Sequence, residues 1–268
     1  MSRFNLKKRP SLIPIFNKVL EEKAKPQYKS SDEPKLKPSD FGNPCFRYLF
    51  YSYLRTEKDF YPSSKEQKTF DVGTALHEMM QSWLQSSDSF IPYLDPQTNK
   101  IPISPMTGLP DPEFKIVFPP LEVKVGKIDG VVIIDNQLWL VELKSIKDEL
   151  FIALNEPKDA HQIQANIYVM GFEDNRKKGL YNHIPQLSGL GPVQGVIYNY
   201  FNKNTGDIKD YVVLVSETAI KTIFDKYKKF KKYVENKELP PKTKYYCNSC
   251  AFRVKCKNEI NPLRCKNE

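Results

Sequence analysis

The stretch GKIDGVVIIDNQLWLVELKS, residues 126–145, decides how this chain is read. Both arms are apolar and rich in β-branched residues, and Asn136 supplies turn chemistry at 135–137. The pattern predicts two adjacent strands joined by a short turn. Three charged residues interrupt it: Asp129, Glu142 and Lys144. Side chains alternate across a strand, which puts Glu142 and Lys144 on one face, and an antiparallel partner brings Asp129 close to them. Two carboxylates and a lysine on a rigid sheet suit a hard divalent cation beside an activated water. They also suit a half-exposed strand with one surface Glu–Lys pair, so the flanking sequence has to decide.

At 268 residues the chain can bury one large core, or one core with small appendages. Its formal charge of +9 suits a polyanionic partner, nucleic acid before an anionic membrane surface. The plainer reading is a soluble basic surface. Fifteen tyrosines and 16 phenylalanines offer rings for base stacking, although most belong in a core. No apolar run approaches the roughly 20 residues of a membrane span. The basic N-terminus lacks the apolar block of a secretory signal. A soluble, cytoplasmic protein without a membrane partner is therefore expected. Three of the five cysteines crowd between 247 and 256, which in a reducing compartment points to metal ligation rather than disulfides. No GxxxxGK[ST] loop occurs, so any ATP-driven motor is a separate chain.

Residues 1–38 are rich in lysine, proline and serine and read as a basic arm, with a short amphipathic turn or two near 12–20. Order is expected from Ser39, with Ser39 or Asp40 capping a helix through PCFRYLFYSYLR that carries Cys45 and Arg47. After a polar loop at 56–68, FDVGTALHEMMQSWLQ has Val72, Leu76, Met79, Met80 and Trp83 at helical spacing, with His77 at its middle. The proline-dense segment 86–120 reads as an inserted flap or loop around the short FKIVF run. A helix over 157–171, stopping at Gly171, carries His161, Gln164 and Tyr168. Strands follow at 193–201 and 211–216. A helix over 218–236 then carries Lys221, Lys226, Lys228, Lys229, Lys231 and Lys232, which suits either a phosphate backbone or an ordinary solvated face. The last 25 residues hold Cys247, Cys250, Cys256 and Cys265.

In order, the polar residues set into apolar elements spell G-x-x-x-H (Gly73, His77), G-x-x-D (Gly126, Asp129), E-x-K (Glu142, Lys144) and Q-x-x-x-Y (Gln164, Tyr168). Each is weak alone; four in this order are far less accidental. The set resembles the PD-(D/E)xK nuclease superfamily, in its RecB/AddB-type branch. Spacing alone leaves the cysteines open between a zinc knuckle and an iron–sulfur cluster. The pattern Cys247-x2-Cys250-x5-Cys256 plus the remote Cys45 is similar to the iron–sulfur form of that branch, which includes CRISPR-associated RecB-like nucleases. The likeness covers roughly residues 40–260. It departs from the superfamily name at Ile128, which stands where the proline of "PD" would be.

That resemblance implies an α/β fold with a restriction-endonuclease-like core, a central mixed sheet flanked by helices. It implies a single nuclease domain over 39–268, with 86–120 as an insertion and a Cys-rich staple over 240–268 closing onto Cys45. His77, Asp129, Glu142 and the Leu143 carbonyl would hold Mg2+ or Mn2+, the imidazole favouring Mn2+. Lys144 would orient or deprotonate the attacking water or stabilise transition-state charge. Gln164 and Tyr168 would position DNA or the lysine. Cys45, Cys247, Cys250 and Cys256 would hold a [4Fe–4S] cluster in preference to zinc, leaving Cys265 spare. The implied activity is a metal-dependent DNA nuclease, an exonuclease on single strands or duplex ends, with a separate helicase or recombination or CRISPR-adaptation proteins as partners. The alternative is a non-catalytic nucleic-acid-binding module on the same scaffold.

Overall fold

The computed structural model describes residues 12–24, 33, 35–105, 107–243 and 247–263. Among these the chain begins with helices α1 (Ile13–Ala24), α2 (Phe46–Tyr53) and α3 (Ser64–Gln85). Strands β1 (Phe90–Ile91), β2 (Phe114–Phe118), β3 (Val123–Ile128), β4 (Gly130–Ile134) and β5 (Gln137–Ile146) follow. Helices α4 (Asp148–Ile152) and α5 (Asp159–Lys177), strands β6 (Val193–Asn202) and β7 (Ile208–Leu214), and helices α6 (Glu217–Glu235) and α7 (Arg253–Lys257) complete the order.

The hairpin expected within 126–145 is β4–β5, with Ile134 opposite Gln137. Asp135 and Asn136 both have positive φ, 51° and 60°, as a two-residue type I′ turn requires. Upstream, the segment divides. β3 pairs with β2 in a separate two-stranded sheet, while β4 joins a five-stranded sheet in the order β1-β4-β5-β6-β7. Asp129 is the residue between them.

Within the larger sheet β5 and β6 are parallel and the other neighbours antiparallel, so the sheet is mixed. A parallel return needs a long crossover, here α4 and α5. α5 buries Ala165, Tyr168, Val169 and Phe172 against Leu140, Tyr198 and Tyr200 on one face. α3 covers Val141, Leu143 and Phe201 on the other with Leu76, Met79 and Met80. The α/β class and the helix-flanked mixed sheet agree with the expectation.

Several boundaries differ. Ser63 starts α3 inside the expected loop, because its side chain and that of Glu66 form a reciprocal capping box. Residues 38–42 form a 3-10 turn rather than the start of a helix, and α2 begins after Cys45, its N-cap. Val72 and Trp83 are half exposed and do not share the buried stripe of α3. Gly171 does not stop α5. A Cβ there would lie 2.8 Å from Ile116 Cδ1, so the glycine lets β2 approach the helix as it runs on to Lys177.

The segment 86–120 is not a pure insertion: its ends supply β1 and β2, with Phe90, Ile91, Phe114 and Ile116 buried. The expected arm is structured in part. α1 bonds α3 through Lys23–Asp71 and Lys68–Asn17, both at 2.8 Å. Leu36 is fully buried and bridges to Val123. Residues 1–11 and Cys265 lie outside the described residues. No helix among the described residues is long and apolar enough to cross a membrane.

The lysines of α6 are not one free face. Lys226 donates to the carbonyls of Phe41 and Asn43, both at 2.6 Å, Lys231 pairs with Glu122, and Lys229 lies over the Phe46 ring.

Candidate metal centre and cysteine cavity

Asp129 stands where the chain passes from one sheet to the other, and its carboxylate is held from both sides. Oδ2 accepts the Leu143 N–H at 2.7 Å, while Oδ1 lies 3.0 Å from His77 Nε2. In an extended strand the N–H and C=O of one residue emerge on the same side, so the Leu143 carbonyl also faces this gap. Burial opposes the His77 imidazolium, but the Asp129 carboxylate outweighs it and the pKa stands above its ordinary value.

Glu142 is buried one residue before Leu143. Its Oε1 accepts from Lys144 Nζ at 2.5 Å and from Gln164 Nε2 at 3.3 Å, but Oε2 is buried with no hydrogen-bond partner. An orphaned carboxylate oxygen of this kind costs about 1–3 kcal/mol unless something binds it. Burial, together with the Asp129 charge, pushes the Glu142 carboxyl up to about 8. Burial acts against the Lys144 ammonium too, yet Glu142 and Asp129 hold its pKa above the ordinary value. Gln164 also bonds the Tyr168 hydroxyl at 2.7 Å, and burial drives that phenol far from ionisation. All six of His77, Asp129, Glu142, Lys144, Gln164 and Tyr168 therefore belong to one connected set. His161 does not reach it. It stacks on Tyr198, meets the Tyr200 hydroxyl at 2.6 Å, and burial depresses its pKa to about 4.

Sequence reasoning missed Glu113. Just before β2, it lies close enough to His77 and Asp129 that the three offer donor atoms within 4.8 Å of one another. Lys127 Nζ binds its Oε2 at 2.5 Å and Gln81 its Oε1 at 3.4 Å. Burial raises its pKa despite Lys127. The signal available was faint: an acid at the edge of FKIVF, in a segment read as an insertion. An imidazole among carboxylates and a carbonyl is a donor set for Mn2+, and less well for Mg2+.

The second cluster is a cavity of about 460 Å3 lined by Cys45, Cys247, Cys250 and Cys256. Cys45 comes from the α2 N-cap, Cys247 from a 3-10 turn, and Cys256 from α7. Burial, with the other three cysteines nearby, raises the Cys250 thiol. Arg47 is buried beside it, donating to Pro240 O at 2.7 Å, Cys256 O at 3.1 Å and Cys256 Sγ at 3.8 Å. Phe252 packs on Tyr48 and Tyr51 with ring centroids 5.6 and 5.3 Å away, contacts worth about 0.5–1.5 kcal/mol each beyond area burial. Asp59 accepts from Val254 N, Lys255 N and Lys255 Nζ. The C-terminal segment is thus bonded to α2 and the loop after it. A zinc ion at 2.3 Å from four sulfurs would hold them about 3.8 Å apart. Among the described residues, no three cysteine sulfurs lie within 4.8 Å of one another.

No family model matches this sequence, and no curated protein matches it. Solved structures do. The protein designated SSO0001 aligns over 92% of this chain and 96% of its own, with 15% identity and a TM-score of 0.47. An alkaline exonuclease, LHK-Exo from Laribacter hongkongensis, aligns over 75% of this chain and 88% of its own, with 13% identity and a TM-score of 0.41. Likenesses this distant leave the function to be argued from the residues themselves.

Proposed function

We propose that the chain is a divalent-metal-dependent DNA nuclease, with an iron–sulfur cluster as a structural cofactor. The observation that carries the first part is the orphaned Oε2 of Glu142, buried beside Asp129 and His77 and one side chain away from a charged lysine. A chain that only binds nucleic acid gains nothing from burying an acid pair at this cost.

In this reading His77, Asp129, Glu142 and the Leu143 carbonyl hold Mn2+ or Mg2+, and Glu113 adds a further carboxylate. The cation supplies an activated water and neutralises phosphate charge. Lys144 is placed to donate to a phosphate oxygen, offsetting charge that grows in the transition state; in the metal-free protein burial opposes its ammonium, and Glu142 and Asp129 outweigh that burial. Gln164 fixes Glu142 through Oε1 and leaves Oε2 for the cation, while Tyr168 fixes Gln164. Cys45, Cys247, Cys250 and Cys256 hold a [4Fe–4S] cluster; that all four line one cavity of about 460 Å3 supports this reading.

Purified protein with Mn2+ is expected to degrade labelled single-stranded DNA, linear faster than circular if it works from ends. Glu142→Ala and Lys144→Ala are each expected to remove this activity while leaving the circular dichroism spectrum unchanged. Cleavage that survives both substitutions overturns the assignment. DNA binding with no cleavage in any divalent ion supports the scaffold reading instead.

A further inference from the structure

One cation close to the metal centre is left unused by that chemistry. Lys144 is engaged by Glu142, and Lys127 by Asp111 and Glu113. Lys203, half-buried in the turn after β6, has no hydrogen-bond or ion-pair partner for its ammonium among the described residues. Its backbone is nonetheless firmly set. The Lys203 N–H donates to Ile146 O at 2.9 Å. On either side, Asn202 donates to Asp148 Oδ1 at 2.7 Å, and Asn204 Oδ1 accepts the Asp148 N–H at 3.2 Å.

The ammonium faces Gly73 on α3. A Cβ built on Gly73 would have two heavy atoms within 4 Å, Lys203 Nζ at 3.4 Å and Ser145 Oγ at 3.6 Å. Those are ordinary contacts, so packing does not demand glycine there. A mid-helix glycine is also unfavourable relative to alanine. What glycine provides is a recess the size of a Cβ, with an ammonium and a hydroxyl both within 4 Å of it.

Two rulers give the distance from this recess to the metal centre. Gly73 and His77 are four residues apart on one face of α3, which is about 6 Å along the axis. Leu143 and Ser145 are two residues apart on the same face of β5, about 6.6 Å. Leu143 and His77 both contact the Asp129 carboxylate. The recess therefore sits about one nucleotide's reach from the centre.

We propose that Lys203 and Ser145, gathered at Gly73, bind the backbone phosphate adjacent to the one cleaved. The inference rests on the nuclease reading and makes Lys203 a positioning residue that fixes the register of the strand on the metal centre. The ligand class is a phosphodiester monoanion, taken by an ammonium point charge and one hydroxyl donor. No base is read, so the contact is independent of sequence.

The test uses the full chain and single-stranded oligonucleotides of defined length. Binding is followed by fluorescence anisotropy with Ca2+ across a salt series, and cleavage separately with Mn2+. Lys203→Gln is expected to weaken binding about tenfold at low salt and to lower the salt slope by roughly 0.7, the share of one phosphate on a single strand. The Mn2+ requirement should be unchanged, the loss should appear in KM more than in kcat, and Lys203→Arg should restore the slope. Gly73→Ala should raise thermal stability while raising KM, a pairing that a merely structural glycine would not give. A methylphosphonate next to the scissile phosphate should weaken wild-type binding and leave Lys203→Gln unaffected. An unchanged salt slope in Lys203→Gln, or equal sensitivity of both proteins to the methylphosphonate, overturns the phosphate contact. Wild type that binds but never cleaves overturns the nuclease reading separately.

Discussion

The acidic seam and the cysteine cavity are both clusters of ligating side chains, but they are built in opposite ways. The seam is set on long elements, the ten-residue β5, the 22-residue α3 and the 19-residue α5. Each of its acids already has a partner: His77 for Asp129, Lys144 for Glu142, Lys127 for Glu113. The cavity is set on a helix N-cap, a 3-10 turn and a five-residue helix. Short elements of that kind do not hold a position by themselves. On the proposed function, the difference suits an exchangeable cation in the seam and a structural cluster in the cavity, where it would add to the clasp that Arg47 and Asp59 already form.

The largest effect that could break this contrast is on stability. If the cavity holds the proposed cluster, Cys250→Ser and Cys256→Ser are expected to lose on the order of 4 kcal/mol, the range seen when a metal or disulfide is lost, together with the visible absorbance that such a cluster would give. Glu142→Gln is expected to gain stability in metal-free protein, since it removes a buried carboxylate with an unpaired oxygen. Chemical denaturation of the three variants checks both; a cysteine variant as stable as the wild type ends the distinction.

A middle-sized effect concerns Glu113. Glu113→Gln should weaken Mn2+ binding roughly tenfold, with kcat at saturating Mn2+ little altered. Calorimetric titration beside a metal-dependence curve separates the two, and unchanged affinity removes Glu113 from the centre.

The most gradual effect is a pH slope. Glu142 binds its proton more tightly folded than unfolded, so its contribution to metal-free stability is fully present below its ordinary 4.5 and is lost as pH rises toward about 8. Glu113 and His77, both with raised pKa values, add slopes of the same sign. Subtracting the Glu142→Gln profile from the wild type isolates the Glu142 share. A difference that rises with pH over that window contradicts the buried, unpaired carboxylate.

How much of this was legible in sequence follows the same division. The seam residues that lie on the hairpin or at fixed helical spacing were readable, because periods of 2 and 3.6 place side chains before any tertiary contact is known. Glu113 was not. It reaches Asp129 because β2 pairs with β3 and brings a separate sheet alongside, a pairing no local period records. Gly171 read as a helix stop because glycine usually marks one; here the approach of Ile116 overrides the local preference. The lysines of α6 looked like one charged face, and only the fold shows Lys226 and Lys231 turned inward to carbonyls and a glutamate. The cysteines were readable as a set but not as a cavity, since the site depends on Arg47, Tyr51 and Asp59 clasping a segment about 200 residues away.

The position of Asp129 between β3 and β4 has a mechanical consequence. Glu113 and Lys127 ride with the two-stranded sheet, Glu142 and Lys144 with the five-stranded one, and Asp129 is the residue through which the backbone passes between them. The spacing of Glu113 to Glu142 therefore depends on how the two sheets pack, while Asp129 is bonded to both Leu143 and His77. Glu113 thus stands at the start of one sheet and Glu142 within the other, with Asp129 as the covalent junction between them.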